Sequence, residues 1–91
     1  MRVYKNFINN DWVGAISRKT FPVDNPVMEE VFAEVSRSGT RDIDAAVVAA
    51  GSAFNGWRLT APGSRREILR EIAKKTVEHG DEVAKLITQE C

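Results

Sequence analysis

The chain has 91 residues, thirteen basic and thirteen acidic side chains, a formal net charge of zero and 43% apolar residues. That is at most one small domain, and the charge balance argues against an electrostatic nucleic-acid binder, which carries a basic excess on one face. One cysteine, Cys91, and one histidine, His79, allow neither an internal disulfide nor the three or four protein ligands of a zinc site.

No apolar run approaches the length of a membrane span, and "MRVYKNFINND" lacks the apolar stretch of a signal peptide. Together with a single thiol this gives the cytoplasm as the expected location.

The first 36 residues are rich in β-branched and aromatic residues with turn punctuation between them. "VYKNFI" and "WVGAI" flank Asn9, Asn10 and Asp11 and read as a β-hairpin, because Asn and Asp tolerate the left-handed backbone of a tight turn. "KTFPV" and "EVFAEVS" read as a second hairpin around "DNPVME", with Val31, Ala33 and Val35 alternating against Phe32, Glu34 and Ser36. Pro22 suits an edge position because it cannot donate to a ladder.

Residues 40–91 carry helical periodicity. Ile43, Val47, Ala50 and Phe54 fall on one helix face, with Thr40 as the expected N-cap, Asp42 and Asp44 in the first turn, and "NGW" as the end. In the next helix Ser64 and Glu67 match a capping box, Pro62 lies near the start, and Ile68, Leu69, Ile72, Ala73 and Thr76 or Val77 form the apolar stripe. His79-Gly80-Asp81 reads as a stop and restart, after which Val83, Leu86 and Ile87 continue the apolar face. The residues therefore predict an α+β chain of two β-hairpins followed by three amphipathic helices. These apolar faces exceed what so short a chain covers alone, so a partner chain or further sequence is expected to supply the rest.

The candidate reactive groups have ordinary explanations. A nucleophilic cysteine needs a helix N-terminus or a cationic neighbour, whereas Cys91 follows Glu90 at the negative end of a helix. His79 sits at a helix end, where basic residues are favoured, with no carboxylate partner fixed by spacing. "GSAFNG" places Gly51 and Gly56 five apart, with no preceding strand and no Lys-Ser/Thr, so it is not a phosphate loop. Arg65-Arg66 and Lys74-Lys75 interleave with Glu67, Glu71 and Glu78 at helical neighbour spacing, which predicts a solvated face of paired charges. Tyr4, Trp12 and Trp57 are expected to anchor hairpins and helix ends to a core.

Six stretches in this order resemble one family. "FINNDWVGAISRKTFPVDNP" is similar to the opening of aldehyde dehydrogenases, most like the fatty-aldehyde-oxidising branch. "VFAEVS" is similar to the strand after the family's Asn-Pro turn, "RDIDAAVVAAGSAFNGW" to its following helix, and "SRREILREIA" and "DEVAKLITQE" to the next two.

The resemblance implies that residues 1–91 are part of a coenzyme-binding domain, the N-terminal lead-in of an α/β Rossmann-like fold, with hairpins over 1–36 and helices over 40–91. Family members oxidise an aldehyde to a carboxylic acid with NAD or NADP. A cysteine thiolate adds to the carbonyl, hydride leaves to the nicotinamide, and a glutamate-activated water releases the acid. An asparagine side chain and a backbone N–H hold the oxyanion.

None of these parts matches a residue here, so catalytic and cofactor-binding residues are expected outside the 91. Cys91 falls where a family helix meets a Gly-Lys pair, and the resemblance implies that the chain is cut there and inactive alone. The implied partners are the remainder of the dehydrogenase chain or homologous subunits, in a homo-oligomeric parent, with no nucleic acid and no membrane. Some members hold a structural cation partly by backbone carbonyls just before the Asn-Pro, and the matching positions are Val23 and Asp24.

Two departures stand out. Val27, Met28, Glu29 and Glu30 replace a turn that usually contains Gly, so Glu29 is expected to adopt a positive φ at a cost. Ala61 stands where a capping Ser or Thr is usual, with Ser64 expected to take over. The alternatives to a dehydrogenase fragment are a short interaction module that docks on full-length subunits and a non-functional truncated relic.

Overall fold

Five short strands precede three helices in a computed structural model that describes residues 2–91. The strands are β1 (Arg2–Tyr4), β2 (Asn6–Ile8), β3 (Asp11–Val13), β4 (Thr20–Asn25) and β5 (Glu30–Ser36). The helices are α1 (Thr40–Leu59), α2 (Pro62–Glu78) and α3 (Gly80–Glu90).

The first predicted hairpin is divided. "VYKNFI" breaks at Lys5: β2 pairs antiparallel with β3, while β1 leaves the hairpin and pairs in parallel with β5. Asn9 and Asn10 carry φ of 51° and 67°, the two positive values that a two-residue type I′ turn needs. Asp11 belongs to the strand rather than to the turn.

The second hairpin is β4–β5, and the three-stranded sheet has the order β1-β5-β4. Pro22 therefore lies on an edge strand, as expected. Val23 pairs with Ala33 and Asp24 with Val31, so Phe32 is the extra residue of a β-bulge.

The turn between these strands is built by Asn25. Its Oδ1 accepts from the N–H groups of Val27 at 3.0 Å and Met28 at 3.2 Å, and its carbonyl accepts from Glu29 N–H at 2.7 Å. Glu29 has φ 55°, the left-handed conformation the missing glycine would have adopted freely.

The helix boundaries differ from prediction in detail. Gly39, not Thr40, caps α1, and its carbonyl accepts from both Asp42 N–H and Ile43 N–H. The helix runs past "NGW" to Leu59, and Thr60 closes it with its hydroxyl on the Gly56 carbonyl at 3.0 Å. Pro62 is the first residue of α2, where its missing N–H costs nothing, and Ala61 is the cap. No side chain caps this helix, so Ser64 does not take that role. His79 both ends α2 and precedes α3, and Gly80 and Asp81 lie inside the new first turn.

Little of this assembly is closed. Among the described residues the buried side chains are Ala15, Ala33 and Asp42, none of them a large apolar group. The radius of gyration is 16.6 Å, against about 12 Å for a compact domain of this length. The surface is 7625 Å², against about 5,300 Å² for a folded monomer of this mass.

Candidate functional site

Asp42 is the one polar side chain buried among the described residues, and it joins two elements. Its Oδ2 accepts from Gly39 N–H at 2.9 Å, the half of a capping box that a glycine cap permits. Its Oδ1 accepts from Ile16 N–H at 2.9 Å, on the loop between β3 and β4. That loop is fixed at two further points. Arg18 N–H reaches the Ala15 carbonyl at 2.9 Å, and Arg37 N–H reaches the Lys19 carbonyl at 2.9 Å. Each carboxylate oxygen accepts one backbone N–H, which makes Asp42 a joint between two elements.

Asp42 also sets which side of α1 faces its own chain. With Ala46 it lines a recess against Asn6, Phe7 and Ile8 of β2, and Ala49 on the same side is half-buried. The predicted core face is largely uncovered: Ile43, which borders the same recess, is 61% exposed, Val47 64% and Phe54 58%. The period of the stripe was right. Little among the described residues covers it.

The residues singled out from the sequence are dispersed. Cys91 is exposed and ends α3, its N–H on the Ile87 carbonyl at 3.0 Å. His79 has a partner that spacing did not reveal, Glu82, with Nδ1 3.5 Å from Oε2. Both side chains are mostly exposed, which makes a solvated pair of small energetic value. Gly51 and Gly56 lie inside α1 with open space where a Cβ would go.

On the charged face of α2 Lys75 pairs with Glu71 at 4.0 Å, as expected, while Glu67 pairs with Arg70 at 3.5 Å rather than with either predicted basic pair. Trp12 does not reach a core. It is 68% exposed and meets Phe7, directly opposite on β2, edge to face at 4.8 Å. Trp57 is 39% exposed and shares an open groove with Pro62, Arg66, Leu69 and Ala73 of α2. Tyr4 is half-buried, with the Arg2 guanidinium 4.9 Å from its ring centre.

Val23 and Asp24 stand at the bulge, Val23 half-buried and Asp24 exposed. Among the described residues no cluster of three or more His, Cys, Asp or Glu side chains could hold a metal ion. The two positions offer a hard cation their backbone carbonyls and, at Asp24, an exposed carboxylate.

Comparison with known proteins gives this scaffold a place. A sequence profile of the aldehyde dehydrogenase family matches residues 12–91. A malonate-semialdehyde dehydrogenase of Geobacillus kaustophilus is 43% identical over 89 residues, 98% of this chain and 18% of that protein. An aldehyde dehydrogenase of Alternaria alternata is 43% identical over 79 residues, 86% of this chain and 16% of the other. Among solved structures, a salicylaldehyde dehydrogenase from Pseudomonas putida G7, complexed with salicylaldehyde, superposes with a TM-score of 0.83 at 32% identity. The superposition covers 90% of this chain and 17% of that one. The chain belongs to the aldehyde dehydrogenase family, and it spans less than a fifth of the length of these relatives.

Proposed function

We propose that residues 1–91 are the N-terminal part of the coenzyme-binding domain of an NAD(P)-dependent aldehyde dehydrogenase, and that they serve there as scaffold. The parent oxidises an aldehyde to a carboxylic acid. Its thiolate, activating glutamate and dinucleotide site are supplied by residues other than these, and the chain alone is inactive. The observation that carries this reading is the uncovered stripe of α1, an apolar helix face made for burial, while among the described residues no large apolar side chain is buried.

The aldehyde itself is not chosen by this segment. Relatives named for malonate semialdehyde and for salicylaldehyde, an acidic and an aromatic substrate, both share it. Specificity therefore belongs to other parts of the enzyme.

The reading extends to a Rossmann-like parent fold, a cytoplasmic location and a homo-oligomer. No helix among the described residues is long and apolar enough to cross a membrane. The reading further assigns the Val23 and Asp24 carbonyls, beside the register shift in β4, as two ligands of a structural cation whose other ligands lie outside these residues.

The test is a chimera in which these 91 residues replace the matching segment of the Geobacillus malonate-semialdehyde dehydrogenase. It is expected to be soluble and to reduce NAD(P) when given aldehyde, while the 91-residue chain alone does neither chemistry nor coenzyme binding. A chimera that does not fold, or a lone chain that turns over aldehyde, would overturn the proposal.

A further inference from the structure

We draw no further inference here: the strongest candidate, the groove between the end of α1 and the first turns of α2 with Trp57, Arg65, Arg66 and Arg70 along it, lies open beside a helix N-terminus, and nothing in the structure shows what covers it.

Discussion

Ile16 and Asp42 meet across 26 positions of sequence, the backbone N–H of one donating to the carboxylate of the other at 2.9 Å. The bond ties the loop after β3 to the first turn of α1, and the same carboxylate caps that turn through Gly39. Asp42→Ala leaves two backbone donors without their acceptor. It is expected to destabilise the Geobacillus chimera by about 2–3 kcal/mol in urea unfolding. Asp42→Asn keeps one acceptor oxygen and is expected to lose about half as much. Equal losses for the two variants would show that the second bond contributes nothing.

Glu29 has the opposite character, a residue the turn tolerates rather than uses. An L-residue in the left-handed region is strained by about 1–2 kcal/mol, and glycine removes that strain while adding chain entropy to the unfolded state. Glu29→Gly is expected to raise the stability of the chimera by about 0.5–1 kcal/mol. A loss would mean that the Glu29 side chain makes a contact in the full enzyme that outweighs its backbone.

Phe7 and Trp12 hold the β2–β3 hairpin by one edge-to-face pair in solvent. Phe7→Ala is expected to cost about 0.5–1.5 kcal/mol beyond the loss of area and to shift the Trp12 emission to the red. An unchanged emission spectrum would place Trp12 against some other group in solution.

Val47 separates the lone chain from the chimera. Val47→Asp is expected to leave the helicity of the lone chain unchanged, because the side chain is already 64% exposed, and to improve its solubility. In the chimera the same substitution buries a carboxylate and is expected to cost about 3 kcal/mol or more. Equal effects in both settings would show that the stripe is never covered.

Cys91→Ser is expected to change neither stability nor activity of the chimera by a measurable amount. The thiol is exposed, and its backbone N–H already satisfies the helix end. Loss of activity would give Cys91 a role that nothing around it provides.

Much of the local structure was legible in the residues. Asn9 and Asn10 announced their turn, Glu29 its strained φ, Pro22 its edge strand and His79-Gly80 the helix break, because each depends on neighbours a few residues away. The parallel pairing of β1 with β5 was not legible: the partner of Val3 is Glu34, and no local spacing records it. Ser64 and Glu67 had the spacing of a capping box, yet Pro62 had already opened the helix. Asp42 was readable as a first-turn acid, but its bond to Ile16 needed the fold. The α1 stripe had the right period, and a period says that a face will be buried without saying by what.

The β1–β5 pairing also fixes an order of events. Arg2–Tyr4 cannot be held until Ala33–Val35 exists, and joining them closes a loop of some thirty residues, while the two hairpins need only their own turns. As the chain leaves the ribosome, its first strand is thus the last of the five to find a neighbour. Until then β5 has a bare flank, where the backbone of any extended peptide could be stitched on in place of the proper one.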